Sequence, residues 1–101
     1  MEKVEIIGSD SLDESEKGSI NKLVGEYYPK IQRALKNDTS LILHIKSKSK
    51  GGKRKHYSVT LRAIAPTITF ESSAEEWDIA SALHKSFGEL IHIILHRFKN
   101  K

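Results

Sequence analysis

The chain has 101 residues, 38% of them hydrophobic and 30% charged, a balance that predicts one folded domain over residues 1–101. It has no cysteine, which excludes a disulfide framework, thiolate chemistry and a cysteine zinc site. Its net charge is +4, and no stretch approaches the roughly 18 apolar residues of a membrane span. Glu2 and Glu5 stand where a signal peptide would carry cations, so a cytoplasmic location is expected.

Lys3 to Ile7 alternates loosely and stops at Gly8, which reads as a short strand. Ser11-Leu-Asp-Glu14 fits a helix-capping box, with Asp13, Glu14 and Glu16 at the positive end of the helix dipole. Ile20, Leu23, Val24, Tyr27, Ile31, Ala34 and Leu35 then recur at three and four, one apolar stripe of a long helix. Lys22, Pro29, Arg33 and Lys36 fall on the opposite side. Pro29 predicts a bend, because it removes a donor and crowds the carbonyl of Gly25. Tyr28, near the edge of the stripe, is a candidate for stacking on a base, against the plainer reading of a partly buried edge residue. Asn37-Asp38 ends the helix.

The next stretch organises the rest. Leu41-Ile-Leu-His-Ile-Lys46 and His56-Tyr-Ser-Val-Thr-Leu-Arg62 flank Gly51-Gly52, the pattern of a β-hairpin. Leu41, Leu43 and Ile45 face the core, as do Tyr57, Val59, Leu61 and Ala63. Ile42, His44, Lys46, His56, Ser58, Thr60 and Arg62 face out, so helices cover only the inner face. A tip centred near Gly51 pairs His44 with about Ser58, and His56 with about Lys46. Lys46, Lys48, Lys50, Lys53, Arg54 and Lys55 put six cations in ten residues without one acid. That exceeds the net charge of the whole chain, so the remainder is net acidic. Cations focused on one loop point to a polyanionic partner; the alternative is a merely solvated lysine loop.

Pro66 breaks the chain, and Thr67-Ile-Thr-Phe-Glu71 reads as a fourth strand with Ile68 and Phe70 inward. Ser72 or Ser73 caps a last helix, with Glu75 and Glu76 in its first turn. Trp77, Ala80, Leu83, Phe87, Leu90, Ile91, Ile94 and Phe98 form its buried stripe. Lys85, Glu89, His92, His96 and Lys99 project from the other side, and Arg97 with Lys99 complements the helix C-terminus. Ile93 breaks the pattern on that polar side, two residues from Leu95, which suggests weak self-association through the last helix. The order β-α-β-β-β-α predicts an α+β fold: a four-stranded sheet with two helices packed on one face.

Glu89, His92 and His96 share a helical face at metal-ligand spacing, which offers a metal-dependent enzyme as one rival reading. The surroundings are cationic, which favours histidines that face solvent or contact phosphate, so no metal and no cofactor are expected. No nucleophile-elbow sequence accompanies the histidines, and Gly51-Gly52-Lys53 precedes a strand where a phosphate-binding loop needs a helix. A catalytic role is therefore not expected.

The segments Tyr57-Ser-Val-Thr-Leu-Arg62, Ala65-Pro-Thr-Ile-Thr-Phe70 and Trp77-Asp-Ile-Ala-Ser-Ala-Leu83, in the order β-α-β-β-β-α, resemble the ribosome hibernation promoting factor family, also called the protein Y or sigma-54 modulation family. Asp78 followed by Ala82 matches the family's aspartate before a small-residue turn of the last helix. The resemblance implies two parallel helices on a four-stranded sheet, similar to double-stranded RNA-binding domains. It further implies binding to ribosomal RNA of the small subunit, in the channel used by messenger and transfer RNA, and so the silencing of idle ribosomes under stress. Where the family carries a Lys-Leu-Glu-Arg-Gln-Leu-like run, this chain reads Glu89-Leu90-Ile91-His92-Ile93-Ile94, with His92 at the arginine position and Glu89 replacing a lysine. That departure shifts the expected load to the hairpin tip. With Lys101 just past the last helix, the chain resembles the short form of the family.

The residues expected to contact RNA are Lys30, Arg33, Lys46, Lys48, Lys50, Lys53, Arg54, Lys55, His56, Arg62, Lys85, His92, His96, Arg97 and Lys99. They would displace condensed counterions from phosphates and recognise shape rather than base sequence. The alternative within the same class is a general module for double-stranded or structured RNA with no ribosome preference.

Overall fold

The computed structural model describes residues 3–49 and 55–99. Its order is strand β1 (Val4–Ile7), a 3-10 turn (Ser9–Ser11), helix α1 (Glu14–Leu35), strands β2 (Ser40–Ser49), β3 (Lys55–Ile64) and β4 (Thr69–Glu76), and helix α2 (Ile79–Lys99). The four strands form one mixed sheet in the order β1-β2-β3-β4, with β1 parallel to β2 and the other pairs antiparallel. This is the expected α+β architecture.

The inner face follows from period-two alternation. Leu41, Leu43, Ile45, Tyr57, Val59, Leu61, Ala63 and Phe70 are buried and join one core with Ile20, Leu23, Val24, Tyr28 and Ile31 of α1 and Leu83, Phe87, Leu90 and Ile94 of α2. Two contacts give the direction of α1. Tyr57, near the hairpin end of β3, bonds Glu16 in the first turn of α1, whereas the Tyr28 hydroxyl, further along α1, donates at 2.6 Å to the carbonyl of Thr39, at the opposite end of the sheet. Helix α2 also starts at the hairpin end and finishes beside Ile68, Thr69 and Phe70, so the helices run parallel.

Helix α1 starts two residues later than expected. Asp13 is its N-cap: the Glu16 N–H donates to Asp13 Oδ1 at 2.7 Å, and the Asp13 N–H donates to Glu16 Oε1 at 3.0 Å. Ser11 lies instead in the preceding 3-10 turn. The helix runs through Pro29, which is exposed, and ends at Leu35 with Lys36 left-handed at φ 55°, a little before Asn37-Asp38. Gly8 is left-handed too, at φ 92°, and packs against the Ile45 carbonyl so closely that a Cβ would collide with it. A glycine is therefore required where the chain leaves β1 beside β2.

The largest difference from expectation lies between Glu71 and Trp77. Strand β4 continues through Ser72 and Ser73 to Glu76, pairing Leu61 with Ser72 and Tyr57 with Glu76. Ser72 does not cap a helix; it is buried, and its hydroxyl donates at 2.8 Å to the carbonyl of Ser86 in α2. The cap is Asp78, whose Oδ2 accepts from the Ser81 N–H at 2.9 Å. Glu75 and Glu76 thus lie on an edge strand, with Glu71 further along it.

Candidate nucleic-acid interface

One face of the sheet carries the helices, and the other is open. Along it the rows are Ile42–Arg62–Glu71, His44–Thr60–Ser73, Lys46–Ser58–Glu75 and Lys48–His56. The hairpin register is shifted by two residues from expectation: Lys46 pairs with Ser58, Lys48 with His56, and His44 with Thr60. Two ten-residue strands carry Lys46, Lys48 and Lys55 towards the tip, all exposed. Lys50, Gly51, Gly52, Lys53 and Arg54 lie outside the described residues, as do the side chains of Phe98 and Lys99.

Both faces of the sheet carry charge at this end, Glu75 standing with Lys46 and Lys48 on the open one. The acids of the α1 capping box sit on the helix side, held by helix N-terminal amides and by Tyr57. Burial, and then the hydrogen bond to Glu16, push the Tyr57 phenol up to about 12 from its usual 10.0. Lys46 and Lys48 project on the opposite side, beside His56 and the half-exposed Trp77. Trp77 is the clearest correction to the sequence reading: expected in the core, it is 49% exposed in the turn between β4 and α2. Its ring meets His56 edge-on, with centroids 4.8 Å apart and planes at 66°. Tyr28 is corrected in the other sense. It is buried, 3% exposed, and its hydroxyl accepts from Gln32 while donating to Thr39, so no face is offered to a base.

The remaining expected contact residues divide. Arg62 lies 3.3 Å from Glu71, and Lys85 lies 2.9 Å from Glu76, so both guanidinium and ammonium are partly neutralised. Lys30 and Arg33 are exposed on α1, with the Lys30 ammonium 5.2 Å from the centre of the Tyr27 ring. That ring stacks on Phe87, and its hydroxyl bonds His84 Nδ1 at 2.8 Å. His92, His96 and Arg97 are exposed near the C-terminus of α2, at the far end from the hairpin tip. The histidine rings lie nearly parallel, with centroids 6.1 Å apart. Among the described residues no three histidine, aspartate or glutamate side chains group as a metal site, so Glu89, His92 and His96 do not assemble one. Ile93 is partly buried against the core and Leu95 is 52% exposed, so the two do not form a shared apolar patch of equal exposure.

No protein-family model matches the sequence, and no curated protein matches it. The fold is similar to that of Protein Y. A crystal structure of the Thermus thermophilus Protein Y N-terminal domain superposes with a TM-score of 0.56 at 13% identity, covering 94% of this chain and 96% of that one. At this identity the likeness establishes a common fold across nearly the whole chain. Among the described residues no helix is long and apolar enough to cross a membrane.

Proposed function

We propose that this domain binds ribosomal RNA of the small ribosomal subunit, at the channel for messenger and transfer RNA, and represses translation by holding idle ribosomes inactive. The observation that carries the reading is the set of exposed lysines on a hairpin arm, Lys46 and Lys48 on the open sheet face and Lys55 at the start of β3, in a fold similar to the Protein Y N-terminal domain. The arm leads into Lys50, Lys53 and Arg54, which complete the cationic run in sequence. Ribosomal RNA is a dense phosphate lattice, and cations on a stiff support displace its condensed counterions. His56 sits beside the lysines. Lys30 and Arg33 on α1, and His92, His96, Arg97 and Lys99 on α2, supply a second set of contacts along the parallel helices. Arg62 and Lys85 contribute less, because each already faces a carboxylate. Nothing in this mode of action calls for chemistry on the RNA, a cofactor or a metal, and it places the protein in the cytoplasm with the ribosomes.

Co-sedimentation with purified ribosomal subunits tests this. The protein pellets with small subunits at about 50 mM salt and is released by about 200 mM, as phosphate contacts are lost. Failure to pellet with small subunits at low salt removes the proposal. Equal competition by bulk duplex RNA at the same phosphate concentration replaces it with a general structured-RNA module.

A further inference from the structure

We propose that Trp77, His56, Lys46 and Lys48 form a site for one unpaired nucleotide, the base packing on the indole and its phosphate resting between the lysines. The inference rests on the RNA-binding reading above. These residues line a concavity of about 560 Å³ on the open sheet face, together with Ser58 and Glu75. That size lies within the roughly 300–1,000 Å³ of small-ligand sites.

The backbone that carries the indole is fixed on both sides. Before it, Glu76 pairs with Tyr57 in the sheet; after it, Asp78 caps α2 through the Ser81 N–H. A large aromatic side chain that is 49% exposed on so fixed a backbone loses little further freedom when a base stacks on it. The steeply inclined His56 ring forms an aromatic corner at 4.8 Å. Lys46 and Lys48, two residues apart on one strand, point to the same face and suit one phosphate held between them. Glu75, which lies 3.8 Å from His56 Nδ1, provides oxygens that accept from an exocyclic base amine. An acidic peptide would meet that carboxylate with repulsion, whereas a nucleotide presents donors to it and phosphate to the lysines. The charge pattern therefore selects a nucleotide.

Trp77 is the single tryptophan of the chain, so its fluorescence reports on this site alone. The experiment titrates the full chain with a short single-stranded oligoadenylate, and in parallel with a blunt RNA duplex at equal phosphate concentration. The oligoadenylate is expected to quench the emission saturably, and the duplex to bind without comparable quenching. Trp77→Ala should weaken oligoadenylate binding, measured by anisotropy of an end label, by about 5- to 150-fold, the usual range for one lost base stack. Trp77→Phe should restore most of it, which a merely structural loss would not explain, and neither variant should alter duplex binding much. Equal oligoadenylate affinity of Trp77→Ala and the parent chain overturns the proposal, and so does the absence of saturable quenching. If the protein still pellets with small subunits in that case, the ribosomal reading stands and only the nucleotide site is lost. Stacking on Trp77 without any ribosome binding upholds the site and removes the ribosomal reading.

Discussion

The hydroxyl of Tyr57 donates to the Glu16 carboxylate, so the capping box of α1 is fastened to the third strand, 41 residues away in sequence. The other carboxylate oxygen of Glu16 accepts from the Asp13 N–H at 3.0 Å, and one side chain therefore joins helix start and sheet. Burial, and after it this bond, holds the phenol protonated. Its folded value of about 12 exceeds the ordinary 10.0, so its stabilisation is fully present below pH 10 and is lost as pH rises through 12. Denaturant unfolding across this alkaline range should show the decline, and Tyr57→Phe should flatten it. At neutral pH the same variant should lose about 1.5–3 kcal/mol, the usual worth of a hydrogen bond to a charged acceptor. An undiminished alkaline decline in Tyr57→Phe would place its cause elsewhere.

Gly8→Ala should destabilise strongly. The left-handed backbone alone costs a non-glycine residue about 1–3 kcal/mol. The added Cβ also meets the Ile45 carbonyl, a backbone atom that cannot swing away without shifting β2. Chemical denaturation is the measurement, and a loss below about 1 kcal/mol would mean that the turn relaxes around the methyl group.

Phe87→Ala should cost about 3–5 kcal/mol. Phe87 has no solvent exposure and stacks on Tyr27 with centroids 4.7 Å apart and planes 4° from parallel. Its removal opens a cavity where the two helices meet. A calorimetric or denaturant midpoint shift reads the effect directly.

Lys46→Ala with Lys48→Ala should weaken RNA binding and flatten its log–log salt dependence by up to about 1.4–1.8, two contacts at roughly 0.7–0.9 each. Replacing Lys53, Arg54 and Lys55 together should flatten it by up to about three contacts' worth. Lys46, Lys48 and Lys55 are exposed, so folding stability should hardly change on their replacement. An unchanged salt slope in both variants would show that the arm does not touch phosphate.

The architecture was legible where periodicity was strong. Leu41, Leu43 and Ile45 opposite Val59, Leu61 and Ala63 announced a half-buried hairpin, and all are buried as read. The failures have physical causes. Ser72 and Ser73 followed by two glutamates imitate a helix start, and the inner face of β4 there is Phe70, Ser72 and Ala74, whose small members give little hydrophobic signal. Pairing with β3 and the bond from Ser72 to the Ser86 carbonyl decide for strand, and neither is visible locally. Moving the helix start from Ser72 to Asp78 is also what takes Trp77 out of the core. Asp78 was the available clue: an N-cap residue ahead of the apolar run that starts at Ile79. Hairpin register slipped because Gly51-Gly52 marks a turn without naming its centre. For the candidate interface, the sequence displayed the cations but not their neighbours, so Glu71 beside Arg62 and Glu76 beside Lys85 emerged only from the folded chain.

The edge formed by β4 has a consequence for how copies of this chain meet. An exposed strand edge is a template for another strand, and polymerisation begins there. If two such edges met antiparallel about Ser73, Glu71 of each would oppose Glu75 of the other, and like charges would confront one another twice across the seam. A molecule bearing a concentrated cationic arm thus keeps its own kind apart with anions along its flank.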